Sequence, residues 1–183
     1  LYIAETQAGM LNASVDTAYL SLYAFVLLSL REVCARLGDF REAVDYTSQS
    51  LDACNQLYGS RLLYLLFEVG TNFFKCGESI RARECLEKSY LMMQQSHFQV
   101  NAHYKSELLH TLGKLSEDED PLKALEFYKG AIANPQFAKP EYFEHTSKLY
   151  RRLGMFAEAE EVEEQAAAAR NANYSSEHHP PLQ

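Results

Sequence analysis

The sequence predicts an all-α solenoid of about four antiparallel helix pairs. Three observations carry that expectation. First, "RLGDFREAVDYTSQSL" (36–51), "KCGESIRARECLEKSY" (75–90) and "RLGMFAEAEEVEEQAA" (152–167) align without gaps. Each has Gly at a turn (Gly38, Gly77, Gly154), then Ala (Ala43, Ala82, Ala159), then a small residue (Ser50, Ser89, Ala166). Second, a further stretch, "LGKLSEDEDPLKALEFYKGAI" (112–132), supplies the same small positions as Ala124 and Ala131, with an acidic turn in place of the Gly. The four Ala recur at a period of roughly 35–42 residues, the range of two-helix repeats. Third, apolar residues between these landmarks fall at helical spacing, as in Leu112, Leu115, Leu122, Leu125, Tyr128 and Ile132.

Each element then follows in order. Residues 1–19 lie ahead of the first full repeat, with an apolar bias over 1–11 in Leu1, Tyr2, Ile3, Ala4, Ala8, Met10 and Leu11. They read as the end of a preceding repeat or as a capping helix, with "NASVDTAYL" as a loop after it. The repeat domain covers 20–170, with helix pairs at 20–37/40–56, 61–76/79–95, 103–116/121–133 and 140–153/156–170. A Gly just past the first helix of a pair takes the left-handed conformation that caps it. Ala or Ser at a helix crossing lets the two backbones approach, and Gly70 and Gly113 are expected at such crossings. The polar tail 171–183, "NANYSSEHHPPLQ", reads as disordered or as a linker.

Composition narrows the function. The formal net charge is −8 and the pI near 5.3. That balance argues against a grip on nucleic acid, which needs many cations on phosphates, and against an anionic membrane surface. The longest apolar stretch, "AYLSLYAFVLLSL" (18–30), reads as too short to span a bilayer. Cys34, Cys54, Cys76 and Cys85 lack metal or redox spacing and read as reduced thiols, with Cys34 and Cys85 inert in the core. The expected setting is cytoplasmic, with nuclear or cytoskeletal placement as variants. The sequence opens at Leu1 with no initiator Met and no signal peptide, the pattern expected of a piece of a longer protein.

The repeats resemble tetratricopeptide repeats. Residues 63–96 carry the pattern through Leu66, Val69, Gly70, Phe73, Gly77, Ala82, Leu86 and Ser89. Residues 24–57 carry it through Leu27, Leu30, Gly38-Asp39-Phe40, Ala43 and Ser50. Residues 140–173 carry it through Phe143, Ser147, Tyr150, Gly154, Phe156, Ala159 and Ala166, and the third repeat through Leu109, Leu112-Gly113, Ala124, Tyr128 and Ala131. Arg31 stands where a small residue is usual, and Thr47 and Glu163 where an aromatic is usual. The longer links and "SLDACNQLYGS" are similar to the longer repeats of kinesin light chains and spindle-orientation adaptors. The resemblance implies a right-handed superhelical solenoid whose first helices line a concave groove.

On that frame, the implied partner-binding positions are Phe25 and Arg36, then Tyr64, Phe67 and Lys75, then His110 and Lys114, then Lys148 and Arg152. They run from aromatic to basic in an otherwise acidic chain. That pattern suits a peptide or helix of a partner protein, acidic with apolar anchors. Leu28 and Glu32 occupy the places where family members that clamp a C-terminal carboxylate use Lys and Asn, so that clamp is not expected.

No nucleotide-loop, zincin or nucleophile-elbow motif occurs. His103 and His110, seven apart, lack a third ligand, so no metal, no cofactor and no enzymatic activity are expected. The expected function is a protein–protein interaction scaffold or adaptor. The alternatives are an accessory, non-catalytic domain of a larger enzyme and a structural subunit of a large assembly.

Overall fold

The computed structural model describes residues 2–55, 57, 59–95 and 100–177, with side chains described from Asp16 to Ala169 among these. The described residues form helices and no strand: α1 (Tyr2–Arg36), α2 (Phe40–Cys54), α3 (Gly59–Lys75), α4 (Ser79–Gln95), α5 (Ala102–Ser116), α6 (Pro121–Ile132), α7 (Pro140–Arg152) and α8 (Phe156–Glu177). They pair as α1/α2, α3/α4, α5/α6 and α7/α8, a solenoid of the tetratricopeptide type with about four repeats. The chain divides into two compact units, Leu1–Phe98 and Gln99–Gln183. In the first, α1 packs on α2 and α3, α2 on α3, and α3 on α4. In the second, α5 packs on α6, α6 on α7, and α7 on α8.

Three of the four hairpin turns are built identically. Gly38, Gly77 and Gly154 have φ of 84°, 82° and 78°. The residue after each Gly donates its N–H back into the helix, Asp39 to the Cys34 carbonyl, Glu78 to Phe73 and Met155 to Tyr150, each at 2.9 Å. This is the Schellman bond that satisfies a carbonyl left over at the helix end. The α5–α6 turn has no Gly and uses helix-start chemistry instead. The Asp120 carboxylate accepts from the Lys123 N–H at 3.0 Å, and Pro121 occupies the first turn, where its missing N–H costs nothing.

The small residues sit where backbones cross. Ala43, Ala82, Ala124 and Ala159 are fully buried. In the first unit, the second small position is a buried Ser in both repeats, and it does more than leave room. Ser50 Oγ donates to the Ala24 carbonyl at 3.2 Å, and Ser89 Oγ to the Leu63 carbonyl at 3.0 Å. Each bond spans 26 residues and ties the second helix of a pair to the first. In the second unit, Ala131 and Ala166 hold this place and cannot make the bond. Ser89→Ala is expected to cost about 1 kcal/mol, the net worth of one hydrogen bond. Lys88→Ala on the exposed face is expected to stay within about 0.5 kcal/mol. Urea unfolding of the two variants beside the parent checks both, and equal midpoints would refute the role of the Ser.

Four features depart from the sequence reading. The loop expected at 12–20 is absent, because α1 runs unbroken from Tyr2 to Arg36. No Gly or Pro occurs between Leu11 and Arg36, and weak helix formers such as Asn12 and Asp16 cost only about 0.5 kcal/mol each once a helix is propagating. Second, α8 continues to Glu177, so the first part of the expected tail is helical; its Ala run is the strongest of helix formers. Residues 178–183 lie outside the described residues. Third, Asp16–Arg36 is long and apolar enough to cross a membrane by length and composition, whereas the run read from the sequence ends at Leu30 and is too short. Here that segment packs on α2 and α3 as the first helix of a repeat. Fourth, Cys34 is half-buried rather than core, with its thiol donating toward Glu42 Oε2 at 3.6 Å. Cys54 and Cys85 are buried, and burial raises both thiols to about 11, which makes them inert.

Candidate functional site

In the first unit, one face of α1 and one face of α3 enclose an open cavity of about 430 Å³. Phe25, Leu28, Ser29, Glu32, Val33 and Arg36 line it from α1; Glu68, Asn72 and Lys75 line it from α3. The spacings are those of single helical faces, three, four or seven residues apart. The structure therefore brings together three of the expected partner-binding residues, Phe25, Arg36 and Lys75, all three exposed. The Phe25 ring is nearly half open to solvent, beside Val33.

Glu32 organises the charges on this rim. Its carboxylate accepts from Arg36 Nε at 3.1 Å and from Arg31 Nη1 at 2.7 Å. The hydrogen bond from Arg36, joined by the charges of Arg31, Arg36 and Lys75, holds the carboxyl below its usual range. Arg31, the departure from the small residue usual in the repeat, is buried, with Nη2 3.9 Å from Cys76 Sγ. It thus fills space between α1 and α3 and braces the acid that the groove presents.

Two expected positions do not reach this surface as assumed. Phe67 is buried, at 4 % exposure, and Tyr64 is half-buried. Phe67 is thus a core ring of α3, because the apolar sector of this helix is wider than a single stripe: Leu63, Leu65, Leu66, Val69 and Phe73 are buried beside it.

In the second unit, His110 is also buried, at 5 % exposure, and is not a groove contact. Its Nε2 lies 2.7 Å from His145 Nδ1, so one ring donates and the other accepts. The His110 ring stacks on Tyr142 with centroids 4.1 Å apart and lies 5.6 Å from Tyr128. A layer of rings therefore joins α5, α6 and α7. Burial, then His145, Lys114 and Lys139, push His110 down to about 3; burial also lowers His145. Both rings are neutral at physiological pH. His103, the other histidine of the pair seven apart, is exposed and lies 3.5 Å from Glu107. No group of three metal-ligating side chains occurs among the described residues.

Lys114 and Lys148 are exposed, and both act electrostatically on His145. Arg152 is occupied within the unit. Its Nη1 lies 3.2 Å from Glu117 Oε1, and its Nη2 donates to the Glu117 carbonyl at 2.7 Å. Glu117 also accepts from the Tyr128 hydroxyl at 2.6 Å, so Arg152 locks the α5–α6 turn. Arg151 makes a bidentate pair with Glu163, at 3.1 and 2.9 Å. Glu163, where the repeat usually has an aromatic, thus bonds α8 to α7 instead of packing on it. His145, Glu117 and Arg31 were not legible as a site, since their partners lie on other helices at no fixed spacing.

No protein-family model matches this sequence, and no curated protein matches it. Solved structures do share the fold. The crystal structure of BtubC (BKLC) from P. vanneervenii is similar over 90 % of this chain and 68 % of its own, with TM-score 0.67 and 17 % identity. A Podosopora anserina putative kinesin light chain with nearly identical TPR-like repeats is similar over 84 % of this chain and 77 % of its own, with TM-score 0.66 and 18 % identity. MamA is similar over 83 % and 81 %, with TM-score 0.62 and 17 % identity. At these identities the likeness establishes the tetratricopeptide-type fold.

Proposed function

We propose that this chain is a non-catalytic protein–protein interaction scaffold that holds a segment of a partner protein on the faces of its first helices. The observation that carries the reading is the cavity between α1 and α3, with an open aromatic ring, Phe25, beside the ionic groups of Arg36, Glu32 and Lys75. An apolar anchor with neighbouring charge is what a peptide or amphipathic helix engages. The free thiols among the described residues suit a reducing compartment, and we place the protein in the cytoplasm. The partner segment is acidic with apolar anchors: Phe25 takes an anchor in the first unit, and Lys114 and Lys148 take carboxylates in the second. No cofactor is part of the reading.

The test starts from a partner identified by affinity capture and mass spectrometry, narrowed to a synthetic peptide. Phe25→Ala is expected to cost about 2 kcal/mol of binding or more, as anchors in a groove do. Lys114→Glu with Lys148→Glu is expected to lower affinity about tenfold, chiefly through the association rate, and to flatten its salt dependence. Melting temperatures should not move. Unchanged affinity in both variants would remove these faces as the site.

A further inference from the structure

A second open cavity, of about 580 Å³, lies within the second unit, between the end of α6 and the first turns of α8. Lys129, Ile132 and Pro135 line one wall. Glu158, Glu161 and Val162, on one face of α8, line the other. Tyr150 of α7 lies between the walls and is only 6 % exposed. Its hydroxyl opens on the cavity with no hydrogen-bond partner among the described residues. Burial, then the charges of Glu158 and Glu161, raise its pKa, so both carboxylates stand near that hydroxyl. Neither carboxylate forms an ion pair among the described residues, with Lys129 or with any other cation. Glu161 accepts one long bond, from Gln165 Nε2 at 3.4 Å. The end of α6 at this cavity adds to the negative character, because the carbonyl end of a helix is its negative pole.

The first unit shows the same place filled. Glu78 donates to the Phe73 carbonyl and Met155 to the Tyr150 carbonyl, so Phe73 and Tyr150 hold equivalent positions before their turns. The third residue of the helix that follows is Arg81 in α4 and Glu158 in α8. The Arg81 guanidinium lies 4.1 Å from the centroid of the Phe73 ring, a cation–π contact. In the first repeat the equivalent pair is Cys34 and Glu42, which also meet, at 3.6 Å. The fourth repeat therefore keeps the aromatic ring, sets a carboxylate where the guanidinium stands in the second, and leaves a cavity beside it.

We propose that this cavity takes an arginine side chain from a basic segment of a partner protein, with the guanidinium against Tyr150 and its N–H groups donating to Glu158 and Glu161. Arginine fits because its planar fork of donors matches carboxylates and also lies well on an aromatic ring. Its methylene stem packs on Ile132 and Val162. The site differs from the first-helix faces in its helices and in the sign of charge it selects, so it does not rest on the groove reading.

The test is an NMR titration of the isotopically labelled chain with the dipeptide acetyl-Leu-Arg-amide. The expected result is saturable, millimolar binding with shifts centred on Tyr150, Glu158, Glu161 and Val162. Acetyl-Leu-citrulline-amide, similar in shape but uncharged, should bind at least about tenfold more weakly, the loss of a hydrogen bond between charged groups. Glu158→Arg should abolish binding by filling the site from within, as Arg81 does on Phe73. Glu160→Gln, outside the lining, should leave it unchanged. Should Glu158→Arg lose helicity by circular dichroism, Glu158→Gln replaces it, with a loss of about tenfold expected. Equal binding of the citrulline dipeptide overturns the proposal, as does binding untouched by the Glu158 variants. Shifts spread evenly to Glu160 and Glu164, or none at tens of millimolar, overturn it too. Equal binding of acetyl-Leu-Lys-amide overturns the assignment to arginine.

Discussion

Gly113→Ala should destabilise the second unit by about 3 kcal/mol or more, at the upper end of ordinary single substitutions. A Cβ added at Gly113 would lie 2.5 Å from both Cδ1 and Cε1 of Tyr128. Real carbon contacts do not approach that closely, so something must move. The ring has nowhere to go: it is fully buried, and its hydroxyl is held by Glu117, itself held by Arg152. The gain of about 1 kcal/mol from replacing Gly by Ala within a helix does not offset an overpacked crossing. Gly130→Ala is the control. Its Cβ would meet Leu109 Cδ1 at 2.8 Å, the end of a flexible side chain that can rotate away. It should cost less than about 1 kcal/mol. Urea unfolding separates the two, and similar midpoints for both variants would show that the Tyr128 ring yields.

Acidification should destabilise the second unit through His110. An unfolded histidine titrates near 6.5, whereas burial, then His145 and the cations of Lys114 and Lys139, hold the folded ring at about 3. Between those values the unfolded chain binds one more proton than the folded one, so stability rises with pH across this window. It is complete above roughly pH 6.5 and is lost progressively as pH falls toward about 3. At pH 5 the loss from His110 amounts to about 2 kcal/mol. His145, whose pKa burial also lowers, acts in the same direction. His110→Gln keeps a donor and an acceptor but cannot titrate. Urea midpoints at pH 7.5 and pH 5 should therefore converge in this variant relative to the parent. An equal pH dependence in both would place the acid sensitivity elsewhere, in the carboxylates.

The parts of the fold legible in the sequence were those with local causes. Gly38, Gly77 and Gly154 announced helix ends because a left-handed residue is needed there and Gly takes that conformation with least strain. Gly70 and Gly113 announced crossings because each faces a side chain with no room for a Cβ. The groove was legible only in part. Phe25, Arg36 and Lys75 share one cavity, as a periodic helical face implies, whereas Phe67 is buried, because periodicity gives direction and not depth. The loop expected at 12–20 does not form because polar residues permit a turn without requiring one.

By itself, then, the sequence determined an all-helical chain of repeated pairs, where each pair turns, and which small residues lie between helices. Those are matters of backbone conformation and of residues a few positions apart, so short segments contain their own reasons. Tertiary structure alone decided that His110 meets His145, that Arg152 holds the α5–α6 turn instead of standing free, and that Arg31 braces Glu32. Each depends on which helix comes to lie alongside another, and therefore on packing between residues that the sequence keeps far apart.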